Sequence, residues 1–265
     1  MIPVFEPDVT DADIASVIEA LHRGEISGTF GRSLTDFEES YAAWLGRRFA
    51  VSTTSGTTAL HLAMAALDLP RGSEVLVSAS TNIASSLALA HNGLVTVPVD
   101  SERQTWNMDL DLLPGLLSPR TRAIMPVHLF GSPIDMPRLM AFAREHKLAV
   151  IEDCAESHGA RFNGTLTGAF GELACFSFYA NKVITSGEGG MVVTDDERLV
   201  ERLRLLRNLG FPKPRFRHEV LGFNFRMTGL QAALGLSQLR RIDAIIERKR
   251  EVAPWDPQRL SGVPR

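Results

Sequence analysis

The chain has 265 residues, 45% of them hydrophobic and 22% charged, and a formal net charge of −3. Such apolar content with so small a net charge excludes disorder as the main state, and the length suffices for one large core. No basic surplus or basic run is present to neutralise phosphates, which excludes a nucleic-acid binder, and no apolar stretch reaches membrane-spanning length, the nearest being broken at His91, Asn92, Gly93 and Pro98.

The N-terminal stretch MIPVFEPDVTDADI is acidic and lacks the basic-then-apolar layout of a secretory leader. The two cysteines, Cys154 and Cys175, fall in apolar, strand-like segments and are too few for a disulfide framework, so a reducing, cytoplasmic compartment is expected. Helical patterns over Asp11 to Arg23 and Thr35 to Leu45 open the chain, each behind a capping-type residue. Ala50 to Thr53 leads into Thr54-Ser55-Gly56-Thr57, and an apolar helix is predicted over Thr58 to Leu69. Short apolar or β-branched runs then predict strands at Glu74 to Ala79, Thr96 to Val99, Ala123 to Leu129, Leu148 to Asp153, Ala174 to Phe178 and Met191 to Thr194. Helical patterns at Asn82 to Ala90, Leu110 to Leu117 and Met136 to His146 lie between them, and a long amphipathic pattern runs from Thr228 to Val252. Alternation of this kind predicts an α/β fold with a largely parallel sheet. Residues 1–250 read as one domain, and the proline-rich residues 251–265 read as the start of a second, smaller one.

Three features carry the chemistry. The turn Thr54-Ser55-Gly56-Thr57 opens an apolar helix with free N–H groups and the positive dipole end, which suits a phosphate. Plain N-capping is the simpler use of the same residues. Ala149-Val-Ile-Glu-Asp153 is an apolar strand ending in two acids, at the strand end where open α/β sheets bind ligands. A carboxylate there can pair with a protonated ring nitrogen, bind a metal or cap the next helix. Lys182 follows Ala174-Cys-Phe-Ser-Phe-Tyr-Ala-Asn and precedes the glycine-rich Gly187-Glu-Gly-Gly190. Lys147, Lys213 and Lys249 lie among charged or helical surface residues and read as solvated charges, whereas Lys182 has apolar or small neighbours. A lysine so desolvated is a Schiff-base nucleophile. Phosphate turn, strand-end aspartate and buried lysine are together the three anchors of a pyridoxal phosphate (PLP) site.

The segments SGTTALHLA, PVHLFGSPIDM, EDCAESHGA, GAFGELACFSFYANKVITSGEGGMVVT and HEVLGFNFRMTGLQAALGLSQL resemble the DegT/DnrJ-type sugar aminotransferases, over almost the whole chain. Within that family the Asn-Lys pair and its glycine-rich loop most resemble GDP-perosamine synthases and their relatives. The resemblance implies the large domain of a fold-type I PLP enzyme, a mostly parallel mixed sheet flanked by helices, followed by a small C-terminal domain that begins where this chain stops. It places Lys182 on the Schiff-base lysine, Asp153 on the partner of the pyridine nitrogen, and Ser177, Gly56 and Thr57 on the phosphate cup. Asn224 falls on an asparagine that reaches the cofactor phosphate of the partner subunit, which implies a homodimer. By their own chemistry, Asn224 and Arg226 serve equally as helix caps. Two positions depart from the family: Asn82 stands where an aromatic ring stacks on the cofactor, and Glu156 stands where many members carry glutamine or histidine. No metal is implied.

The reaction so implied moves an amino group from glutamate to a nucleotide-linked 3- or 4-keto sugar, with Lys182 as general base. Two alternatives stand beside it. One is a PLP-dependent sugar dehydratase, which Lys182 opposes because those relatives carry histidine there. The other is a truncated homologue that binds PLP or dimerises without turnover.

Overall fold

Each parallel strand of this chain ends at the same edge of one sheet, and that edge is where the candidate residues gather. The computed structural model describes residues 5–211, 218 and 220–253. The strands are β1 (Phe49–Thr53), β2 (Glu74–Ser78), β3 (Val95–Val99), β4 (Thr121–Met125), β5 (Ala149–Asp153), β8 (Leu173–Ser177) and β9 (Gly190–Thr194), with β6 (Arg161–Phe162) and β7 (Thr165–Leu166) forming a small separate hairpin. Their order across the sheet is β1-β9-β8-β5-β4-β2-β3, and only β9 runs against its neighbours. β3 is an edge strand, and it alone carries a proline, Pro98, whose missing N–H costs nothing on an unpaired side.

Alternation along the strands sorts the core into two faces. Val51, Ala123, Met125, Leu173 and Cys175 face the helices α3 (Gly56–Leu67), α4 (Ile83–His91) and α7 (Glu197–Arg207). Ala50, Ala174, Phe176 and Val193 face α2 (Ser33–Leu45), α8 (Gly229–Leu239) and α9 (Ile242–Val252), and Leu76, Ile124 and Val150 face α6 (Met136–His146) with the single turn α5 (Leu113–Leu116). α1 (Asp11–His22) packs outside α8. Helices on both faces bury every residue of β2, β8 and β9, as expected for strands of a sheet covered on two sides. This is the predicted α/β fold. Among the described residues no helix is long and apolar enough to cross a membrane.

Several boundaries differ from expectation, each for a physical reason. The apolar run from Ala123 to Leu129 is not all strand: β4 starts at Thr121 and stops at Met125, because Pro126 cannot donate into a ladder. Leu110 to Leu117 holds a 3₁₀ turn and one α turn around Pro114 rather than a continuous helix. The long C-terminal pattern breaks at Arg240 and Arg241 into α8 and α9, where the Arg241 guanidinium turns aside to Asp8 (2.6 Å) and Asp13 (3.0 Å). The helix α7 has no counterpart in the sequence reading, since ERLVERLRLLR buries only Val200, Leu203 and Leu206. Of residues 251–265, expected to begin a second domain, 251 and 252 end α9 and 254–265 lie outside the described residues.

Candidate active site

The carboxyl ends of β1, β2, β5 and β8 surround a cleft of about 320 Å³. Seven of the eight residues named from the sequence line it: Gly56, Thr57, Asn82, Asp153, Glu156, Ser177 and Lys182. The eighth, Asn224, does not. It is exposed, pairs with Asn208 through the backbone, and is not among the residues that line this cleft.

At one end α3 points its first turn into the cleft. The Ser55 hydroxyl caps it by accepting from the Thr58 N–H at 3.2 Å, which leaves the N–H groups of Gly56 and Thr57 without intrahelical partners. Thus the helix starts two residues before the predicted Thr58, and the turn that is capped is also one that can accept an anion. Glycine is required at 56 by space: a Cβ there would stand 2.7 Å from Ser177 Cβ and 3.0 Å from its Oγ. The helix end and the Ser177 hydroxyl therefore form one concave donor set, fitted to a phosphate.

Behind Ser177 stands a chain that the sequence reading missed. The Tyr41 hydroxyl lies 3.0 Å from His158 Nδ1, and His158 Nε2 lies 2.8 Å from the Ser177 carbonyl. The carbonyl can only accept, so Nε2 carries the proton and Nδ1 accepts from Tyr41. Burial holds the His158 imidazole down at about 4, against the bond to Ser177, with the Lys182 charge adding to the depression. A histidine depressed in the fold is neutral there but takes a proton in the unfolded chain. Stability from this group is thus complete above about pH 6.5 and is lost as pH falls toward about 4, by about 2 kcal/mol at about pH 5. Urea unfolding across that range is expected to show the slope in wild type and a shallower one in His158→Gln.

In the middle of the cleft, Asp153 ends β5 almost wholly buried. Its Oδ2 accepts from the Ser85 hydroxyl at 2.8 Å and its Oδ1 from the Ala155 N–H at 3.1 Å. Burial pushes this carboxyl up, and the bonds from Ala155 and Ser85 with the Lys182 charge offset the push only in part. A buried carboxylate of raised proton affinity is suited to hold a proton on a ring nitrogen. Ser85 went unnoticed in the sequence, yet its spacing from Thr81 was a signal: the hydroxyls, one helical turn apart, lie 2.7 Å from each other.

Lys182 sits on a turn after β8, its side chain 18% exposed, with Nζ 3.9 Å from Glu156 Oε1. The second Glu156 oxygen accepts from the Phe130 N–H at 2.9 Å. Asn82 is the N-cap of α4, its Oδ1 taken up by the Ala84 N–H at 3.0 Å, so its amide nitrogen is the part left to face a ligand. The aromatic side chain among the described residues lining the cleft is Tyr179.

Two other features lie apart from this chemistry. A larger cavity of about 800 Å³ runs between the loop at Ser27–Phe30 and Arg204, Arg207 and Arg226, but no lysine, histidine or carboxylate is among its described lining residues. His128, Glu152 and Cys154 bring three ligand-type atoms within 4.8 Å in the interior. Here the chain fills the positions itself: Glu152 accepts from His128 Nε2 and three backbone N–H groups, and His128 Nδ1 accepts from the Ile134 N–H at 3.2 Å.

A phosphate cradle closed by a missing Cβ, a buried carboxylate and an amine in one cleft fit PLP in chemistry and in sequence order. Comparison with known proteins agrees. The DegT/DnrJ/EryC1/StrS aminotransferase family matches residues 7–265. A GDP-perosamine synthase of Caulobacter vibrioides is 42% identical over 99% of this chain and 71% of its own length. A dTDP-3-amino-3,4,6-trideoxy-alpha-D-glucose transaminase of Streptomyces venezuelae is 40% identical over 96% of this chain, which spans 66% of that relative. The structure of Helicobacter pylori PseC, an aminotransferase involved in the biosynthesis of pseudoaminic acid, superposes with a TM-score of 0.93 at 28% identity, covering 98% of this chain and 70% of the other.

Proposed function

The chain belongs to the DegT/DnrJ/EryC1/StrS aminotransferase family, and we propose that it is a PLP-dependent enzyme that moves an amino group from glutamate to a nucleotide-linked 3- or 4-keto sugar. One observation carries this reading: Lys182, Asp153 and the Gly56–Ser177 cradle line a single cleft. PLP, when bound, supplies an electrophilic carbon and a protonated ring that takes up the electron pair left by a departing proton. The residues do the rest. Gly56, Thr57 and Ser177 hold the phosphate, and Asp153 keeps the proton on the ring nitrogen. The Lys182 amine would hold the cofactor at its electrophilic carbon and, once free, would move the donor's α-proton as general base. Glu156, beside that amine, and Asn82 contact the cofactor from its flanks.

Asn224 is exposed and does not line its own cleft, which suits a homodimer in which it reaches the phosphate held by the other subunit. Cys154 and Cys175 are buried and unpaired, in keeping with a reducing cytoplasm. The relatives' names put GDP-linked sugars first among substrates to screen, then UDP- and dTDP-linked ones. With PLP, glutamate and the matching keto-sugar nucleotide, 2-oxoglutarate and amino sugar are expected in equal amounts. No 2-oxoglutarate from a PLP-loaded protein with any of these sugars would overturn the assignment.

A further inference from the structure

The phosphate cradle rests on buried side chains that no step of the proposed reaction uses. Ser177 ends β8, and β5 pairs with β8 no further than Asp153 opposite Cys175. The Phe178 N–H bonds to the Gly189 carbonyl, just before β9. By alternation the Ser177 carbonyl turns to the other side of the strand, past the end of β5. There His158 donates to it from Nε2 at 2.8 Å, in place of the missing strand.

This bond is shielded from solvent. His158 is 4% exposed and Ser177 6%, and the imidazole packs against the rings of Tyr41, Phe176 and Phe178, so water is a poor substitute for the donor. Tyr41 reaches in from α2, and its hydroxyl, 3.0 Å from Nδ1, occupies that lone pair and leaves the ring proton on Nε2. On the cleft side, Ser177 Oγ accepts from the Tyr179 N–H at 3.4 Å, which leaves the hydroxyl proton for an anion. Gly56 stands so close that a Cβ on it would lie 2.7 Å from Ser177 Cβ. The spacing between the Ser177 hydroxyl and the first N–H groups of α3 therefore holds only while the Ser177 backbone stays in place.

Building on the PLP reading, we propose that His158 and Tyr41 are positioning residues for the cofactor phosphate: they fix the Ser177 backbone, and through it the distance from the Ser177 hydroxyl to the N–H groups of Gly56 and Thr57. Neither side chain touches the phosphate. His158 supplies the anchor, and Tyr41 sets the tautomer in which that anchor is a donor. A phosphate that meets donors already in place loses less on binding than one that must order them.

The test compares PLP with pyridoxal, which has the same ring and aldehyde but no phosphate, and with inorganic phosphate. The proteins are wild type, His158→Leu, His158→Gln and Tyr41→Phe. The two aldehydes are read by the visible absorption band and inorganic phosphate by calorimetry. His158→Leu is expected to bind PLP and phosphate roughly tenfold or more weakly, the range of a hydrogen bond to a charged group, while its pyridoxal affinity holds. That unchanged affinity reports that the rest of the cleft is folded. His158→Gln, whose amide can donate from the position of Nε2, is expected to recover most of the preference for PLP over pyridoxal, and Tyr41→Phe to fall between. The proposal is overturned if every variant keeps the wild-type preference, if PLP and pyridoxal weaken together, or if His158→Gln is no better than His158→Leu. Should His158→Leu not fold, Tyr41→Phe decides: a selective loss of PLP supports the proposal and an unchanged preference overturns it. Absence of the PLP band in wild type instead overturns the aminotransferase reading. Phosphate titration of the same variants then decides the positioning role, and no phosphate binding to wild type overturns that as well.

Discussion

Asp153→Asn is expected to slow amino transfer at least a hundredfold while leaving stability equal to wild type or slightly above it. The two effects part because one residue serves chemistry at the expense of the fold. Burial disfavours the ionised carboxyl and raises its proton affinity, so at neutral pH the native state carries a desolvated charge. An uncharged isostere removes that cost. Its bonding survives as well: the amide oxygen can accept from the Ala155 N–H, and the Ser85–Thr81 hydroxyl pair can reverse so that Ser85 accepts from the amide nitrogen. What asparagine cannot do is hold a proton on the ring nitrogen. Loss of one preorganised charge at the reacting group typically costs about 10²–10³ in rate. Single-turnover rates with glutamate, set beside urea midpoints, check the prediction. A rate within threefold of wild type, or a loss of stability matching the loss of rate, would contradict it.

Glu152→Gln, one residue earlier, is expected to do the opposite and unsettle the fold. Both residues end β5, but the pleat sends their side chains to opposite faces. Glu152 is fully buried and each oxygen accepts twice: Oε2 from His128 Nε2 at 3.1 Å and the Gly168 N–H at 2.8 Å, Oε1 from the Phe170 N–H at 2.9 Å and the Gly171 N–H at 2.7 Å. Burial pushes this carboxyl up, yet His128, with the N–H groups of Gly171 and Gly168, brings it below its ordinary value. A glutamine would aim an NH₂ at two donors and strand them in the interior. Breaking a buried charged network of this kind costs about 3–5 kcal/mol. The wild-type contribution has the sign of a depressed carboxyl: present above the unfolded value and lost as pH falls through the folded one. Thermal or urea unfolding at neutral pH reads the effect, and a loss below about 1 kcal/mol would contradict it.

The chemistry of the cleft was more legible in the sequence than its supports. Lys182 stands out because its apolar and small flanks argue against a surface role, whereas Asp153 and the Gly56 turn, each open to plain capping by itself, became legible only in combination with it. The strand pattern was equally plain, since five apolar residues between turn signals have little choice but a covered sheet. Ser85, His158 and Glu152 were not legible as a group, because each acts through a partner far along the chain. Ser85 meets Asp153 across 68 positions and Tyr41 meets His158 across 117. The helix α7 escaped because a thin buried stripe of Val200, Leu203 and Leu206 is hidden among arginines and glutamates. Arg241 ended a pattern that looked continuous to Val252, since an amphipathic period does not foretell an ion pair with Asp8 and Asp13.

The claim on which the rest depends is that the Lys182 amine carries PLP and turns over with glutamate. The direct measurement is the visible absorption spectrum of the purified protein with PLP, before and after glutamate, beside Lys182→Ala. A visible band in wild type that glutamate bleaches toward shorter wavelength, and that Lys182→Ala never forms, is the predicted result. An identical band in Lys182→Ala, or none in wild type, would contradict the account at its centre.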